Sequence, residues 1–158
     1  MPPTSAHGSL PRWLKPANRL IMLFQRLGLP TGTIHVLTVP GRTSGTLRST
    51  PVSALTVNGR RYIVAGVAEM DWARNVRAAG WGILASGRRR ERVSLIELPP
   101  QERAPILREF PRLVPGGVPF FRRLYRLPDD PAALPDAFAG LATHATVFRV
   151  EPAKSAQE

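Results

Sequence analysis

The chain contains no cysteine. Disulfides, thiolate metal sites and thiol nucleophiles are thereby excluded. Its three histidines, His7, His35 and His144, are far apart in sequence and lack metal-ligand spacing. Zinc and its relatives need clustered ligands, so no metal is expected. No apolar run is long enough to cross a bilayer: Leu20 to Phe24 is much too short. No basic segment leads into a cleavable apolar stretch, so no signal peptide is expected and the location reads as cytoplasmic. The most informative absence is of acid, since no Asp or Glu precedes Glu69. The first 68 residues carry seven arginines and Lys15, a sum of +8 within a chain of net charge +11. Such a half-chain favours an anionic partner. Arginine's planar fork suits phosphate in particular.

With 158 residues and a hydrophobic fraction of 43%, the chain has the makings of a single folded domain. We divide it into an N-terminal tail and amphipathic helix (1–30), a core domain (31–152) and a C-terminal tail (153–158). From Trp13 to Leu27 apolar residues recur at helical spacing, with Arg12, Lys15, Arg19 and Arg26 between them. This helix either packs on the domain or lies on an anionic membrane surface. Strands are predicted over Ile34–Val39, Ser49–Val57 and Arg60–Val67. The last two are joined by Asn58-Gly59, the pair that a two-residue hairpin turn prefers. A short helix is expected over Trp72–Ala79, with Asp71 as N-cap and Gly80 as stop. A second hairpin follows, Trp81–Ser86 and Arg92–Leu98, then helical pieces at Gln101–Phe110, Pro119–Arg126 and Pro135–Leu141, then a strand at Thr146–Val150. Six short strands without alternating βαβ units point to a mainly β barrel with peripheral helices.

The stretch GRTSGTLRSTP, Gly41 to Pro51, joins the first two strands. It holds two arginines, two glycines, five hydroxyl side chains and no acid. Gly41 and Gly45 free the backbone to turn tightly, and successive exposed amides form an anion-binding concavity. Arg42 and Arg48 offer charge-assisted contacts. Thr43, Ser44, Ser49 and Thr50 supply hydroxyls. Pro51, with no amide proton, fits where a strand need not donate. It is neither a P-loop nor a dinucleotide fingerprint. Composition leaves two readings open, a phosphate site and a plain basic turn.

The order of three motifs resembles the deazaflavin-dependent nitroreductase and quinone reductase family of actinobacteria. They are Gly41, Arg42, Ser44, Gly45, Arg48, Thr50 and Pro51, then Val64 and Ala65, then Trp72 and Asn75. The resemblance covers roughly residues 32 to 100. It implies a split β-barrel like that of flavin-mononucleotide oxidases. It also implies binding of coenzyme F-420, an 8-hydroxy-5-deazaflavin with a phosphate and a polyglutamate tail. By the same resemblance, Arg42 to Arg48 grip the phosphate and tail, and Ser49, Thr50, Pro51 and Val52 run past the ring. Ala65, Gly66, Val67 and Ala68, with Trp72 and Asn75, close the other side. The sequence departs from the family at Thr43, where many relatives carry Lys, and at Gly66-Val67, where many carry a Ser-Lys pair. Arg74 or Arg77 is the candidate replacement cation.

The implied activity is hydride transfer from reduced coenzyme F-420 to a small-molecule electron acceptor: a quinone, a nitro compound or an enone. The cofactor carries the hard chemistry, so no catalytic triad is expected. Tyr125 is the candidate proton donor, its other reading being core packing. Alternatives are a flavin-mononucleotide (FMN) oxidoreductase of the same barrel and a membrane-peripheral protein that binds lipid or ligand without turnover. Nucleic acid is not expected as a partner, because the predicted strands offer few aromatics for base stacking. Arg88, Arg89 and Arg90 read as a solvated turn. A homodimer is expected by the resemblance alone.

Overall fold

A computed structural model describes residues 34–153. The helix expected over Trp13–Leu27 and nearly all of the C-terminal tail lie outside the described residues. Six strands are formed: β1 (Ile34–Pro40), β2 (Leu47–Val57), β3 (Arg60–Ala65), β4 (Trp81–Ser86), β5 (Arg89–Glu97) and β6 (Thr146–Pro152). They close into a barrel in the order β1-β2-β3-β6-β5-β4, antiparallel at every junction. Among the described residues four α-helices accompany them: α1 (Asp71–Ala79), α2 (Pro100–Leu113), α3 (Val118–Leu124) and α4 (Leu134–Ala139). This is a split-barrel fold with peripheral helices, as the sequence predicts. Among the described residues, no helix is long and apolar enough to cross a membrane.

The period-2 pattern of the strands sorts side chains between two cores. Leu37, Val39, Val52, Ile63, Leu84, Val93, Leu95, Phe148 and Val150 fill the barrel, with Ala73 and Val76 of α1 closing one end. The opposite face of β2 and β3 presents Leu55, Tyr62 and Val64 to a layer built from α2, α3 and α4. That layer centres on Phe110, Phe121 and Phe138, whose ring centroids lie 4.9 to 5.4 Å apart. Such aromatic pairs each add about 0.5–1.5 kcal/mol beyond area burial. Tyr62 is structural, as its alternation with Ile63 implies.

The β2–β3 turn has Asn58 at φ 51° and Gly59 at φ 77°, the left-handed pair that Asn-Gly provides at least cost. Several boundaries differ from expectation, three of them for a visible reason. Asp71 is not the N-cap of α1; Met70 is, and Asp71 opens the first turn, where its charge meets the positive end of the helix dipole. The third strand ends at Ala65 rather than Val67. Gly66 there passes beneath α3, and a Cβ on it would stand 2.9 Å from Phe120 and Leu124. The fifth strand starts at Arg89, because Gly87 (φ 59°) and Arg88 suffice for the turn.

Candidate functional site

The 41–46 loop turns back on itself through two backbone bonds, Gly41 N–H to Thr46 O at 2.8 Å and Gly45 N–H to Gly41 O at 2.9 Å. Gly45 sits at φ 73°, which glycine alone adopts without strain. The Thr46 amide donates to Ser44 Oγ at 3.2 Å. The loop crosses the end of the barrel that α1 caps.

Its arginines have different fates. Arg42 is anchored to α1: its backbone amide and its Nη1 donate to Asn75 Oδ1 at 3.0 and 2.9 Å. Its Nη2 also reaches Asp71 Oδ1 at 3.2 Å. Asn75 is buried on α1, so the loop is pinned to the helix by a polar pair inside the interface. Arg48 is exposed, and its side chain has no hydrogen bond or ion pair with another described residue. It shares the inner face of β2 with Thr50 and Val52, opposite Val39. Gly41 makes room for it, since a Cβ there would lie 3.4 Å from Arg48 Nε and 3.1 Å from Ser44 Oγ. Thr43 and Ser44 are exposed on the loop. Ser49 faces the other way and shares a hydrogen bond with Thr38 Oγ1 at 2.7 Å. Pro51, paired with Val36, lies on that same outer side.

Trp72 leans over the barrel end against Phe148, with centroids 6.0 Å apart and rings tilted by 50°. Ala65 and Gly66 are buried and Val67 is half-buried, in the turn leading to α1. Ala68 N–H ties that turn to His144 O at 2.8 Å. The fold gathers the 41–46 loop, Ala65 to Val67 and Trp72 toward one end of the barrel, while Ser49 and Pro51 point outside it.

The two candidate replacement cations also separate. Arg77 is consumed internally, with bonds to Glu97 at 2.6 to 3.2 Å and to Ala68 O at 3.1 Å. Arg74 is exposed and only loosely paired with Glu69, at 4.0 Å. Tyr125 does not point to open solvent: its hydroxyl donates to Gly66 O at 2.6 Å. Burial pushes this phenol up to about 12. It therefore stays protonated, with its proton engaged by the backbone carbonyl.

One cluster escaped sequence reading. Arg103 is buried and donates to Leu98 O (2.6 Å), Ala142 O (3.1 Å) and Ala145 O (3.2 Å), with Glu97 3.7 Å away. Burial pushes the Glu97 carboxyl up. The Arg77 hydrogen bond and charge, the Thr146 hydroxyl and the Arg103 charge together outweigh that, and its net displacement is downward. No local sequence signal marks Arg103 among the other arginines of the helical region.

No protein-family model matches the chain, and no curated protein matches it. Solved structures do share its fold. A structure described as a domain-swapped dimer is 21% identical and superposes with a TM-score of 0.54, over 88% of this chain and 97% of that one. A nimC/nimA family protein from Clostridium acetobutylicum is 11% identical, with a TM-score of 0.50 over 74% and 72% of the two chains. An F-420-H2 dependent reductase is 20% identical, with a TM-score of 0.49 over 75% of this chain and 94% of its own. At these identities the likeness is one of fold.

Proposed function

We propose that this barrel binds a phosphorylated deazaflavin, coenzyme F-420, and reduces a small acceptor with it. One observation carries the reading: within an acid-free loop, Arg42 is committed to Asn75 while Arg48 and the Thr43 and Ser44 hydroxyls are left exposed beside the glycine-lined turn. The motif resemblance, from the loop through Ala65 to Trp72 and Asn75, supports the same reading.

The residues present fit such a group. Arg48 supplies an uncompensated guanidinium for a phosphate, the strong type of contact. Exposed Arg74 adds cationic charge from α1 for an acidic tail. Arg42 acts as a positioning residue, fixing the loop on Asn75 so that Arg48 and the hydroxyls are held ready. Thr50 and Val52 on β2, with Ala65 at the end of β3 and Gly66 and Val67 just after it, would flank the ring. Trp72 shields the barrel end from water. When bound, the deazaflavin supplies a hydride, and the chain's task is to orient it and hold an acceptor at reacting distance. Tyr125 holds Gly66 in place through its hydroxyl. A quinone, nitro compound or enone fits as acceptor, and FMN is the rival cofactor. A homodimer and a peripheral position on the inner face of a membrane belong to this proposal too.

Fluorescence titration of the purified chain with coenzyme F-420 and with FMN tests it. Micromolar binding of the first and none of the second is the expected result. Absence of F-420 binding refutes the reading, and tight binding of FMN alone transfers it to the rival cofactor.

A further inference from the structure

The two ends of the barrel differ chemically. One carries the 41–46 loop and α1. The other carries the β2–β3 turn, the β4–β5 turn and the start of β1. Its mouth opens into a cavity of about 410 Å³ lined by His35, Arg61, Leu84, Ser86, Arg89 and Glu91. The strand register places this set on the inner wall. Glu91 pairs with Leu84, Arg89 with Ser86, Arg61 with Val150 and His35 with Val52, and Leu84, Val150 and Val52 are barrel core. Side chains fill the interior of a barrel this small. Here the last inward layer is polar on four strands.

The charges of this layer do not cancel. Arg61 and Glu91 form an ion pair across the mouth and neutralise each other. The Arg89 side chain has no ion pair or hydrogen bond with another described residue. Arg88 and Arg90 flank it, and Arg60 opens β3 just after the β2–β3 turn, all exposed. The acid nearest in sequence to the end of β6, Glu151, is already held by Arg149 at 2.8 Å. A concave polar pocket thus lies under a rim of unmatched positive charge, an arrangement that concentrates anions. Its volume falls in the usual range for small-ligand sites.

We infer that this mouth is a second anion site, distinct from the loop, that takes a small phosphate-class oxyanion. Arg89 is its principal cation, Ser86 and Arg61 give further donors, and buried Leu84 forms the floor. The same chemistry can come from free phosphate or from a phospholipid headgroup. The site stands whether or not the opposite end binds a deazaflavin.

The full chain is titrated calorimetrically with inorganic phosphate, and separately mixed with vesicles containing phosphatidic acid. Arg89→Gln and Arg48→Gln variants run in parallel, with thermal melts confirming that each folds. Saturable phosphate binding is expected, weakened about tenfold or more by Arg89→Gln, as loss of a charge-assisted contact requires, and retained in Arg48→Gln. Backbone amide resonances of Ser86 and Arg89 are expected to shift on titration. Vesicle binding with the same dependence on Arg89, without binding of free phosphate, supports the site with the headgroup as source. Equal binding by wild type and Arg89→Gln in both arms, or no binding in either, overturns the inference.

Discussion

Arg42 meets one oxygen of Asn75 twice, through its backbone amide at 3.0 Å and its guanidinium at 2.9 Å. The two residues are 33 positions apart, so the contact joins a loop to a helix that local sequence does not connect. Asn75→Ala removes the acceptor of both. Hydrogen bonds to charged groups contribute about 1.5–3 kcal/mol, and a loss of that size is expected in urea unfolding. Unchanged stability would mean that the pair is incidental.

The division of labour between the two loop arginines yields a second prediction. Arg48→Ala is expected to change stability by no more than about 0.5 kcal/mol, as for an exposed, unpartnered residue, yet to weaken cofactor binding about tenfold or more. Arg42→Ala is expected to lower stability and affinity together. Denaturation and fluorescence titration on both variants separate the roles. Equal affinity losses with equal stability losses contradict the split.

Tyr125 separates a proton donor from a positioning residue. A general acid contributes roughly 10²–10⁴-fold to rate, whereas a hydroxyl bound to a carbonyl contributes about 1 kcal/mol to stability. Tyr125→Phe is expected to cost the latter and to slow acceptor reduction less than about tenfold. Because burial raises the phenol to about 12, the stability it contributes is present below the ordinary value of 10.0 and is lost as pH rises through the higher one. Alkaline unfolding of the variant is expected to lose that part of the pH dependence.

Glu97 governs the acid side. Its folded carboxyl lies below the ordinary value of 4.5, so the unfolded chain binds the proton first. The stability Glu97 contributes is complete above that value and declines as pH falls through the folded one. Glu97→Gln is expected to lower stability at neutral pH and to flatten the acid limb of a stability–pH curve. A curve parallel to wild type counts against the Arg77–Glu97–Arg103 cluster as its source.

Gly82 marks a packing limit in the barrel. A Cβ there would stand 2.9 Å from Leu37 Cδ1 and 3.0 Å from the Thr38 carbonyl, which is backbone and cannot swing away. Gly82→Ala is expected to cost about 1–3 kcal/mol through overpacking, read as a lowered melting temperature. A gain in stability would show that the strands separate more readily than this contact implies.

Elements with a local cause were the legible ones. Asn58-Gly59 fixed a hairpin because both residues must take positive φ, and β4 runs over Trp81–Ser86 as its alternation and flanking glycines imply. The loop and the Trp72–Asn75 segment were found as motifs, but not the bond between them. A long-range hydrogen bond leaves no spacing signal, and Asn75 therefore read as a ligand contact in sequence. Gly82 looked like an ordinary glycine and Gly66 like a cofactor contact, since only tertiary neighbours reveal a forbidden Cβ. Arg103 lay unmarked within the predicted helical piece Gln101–Phe110; burial sets it apart, and that burial depends on the distant connection between α4 and β6.

Arg103 draws three carbonyls from separate connections into one cationic grip: Leu98 between β5 and α2, and Ala142 and Ala145 between α4 and β6. Opening either connection alone would strand that guanidinium among groups that no longer match it. Helical layer and barrel are therefore coupled as one cooperative unit, and amide protons in α2 and in β6 should exchange with a common opening free energy rather than in separate steps.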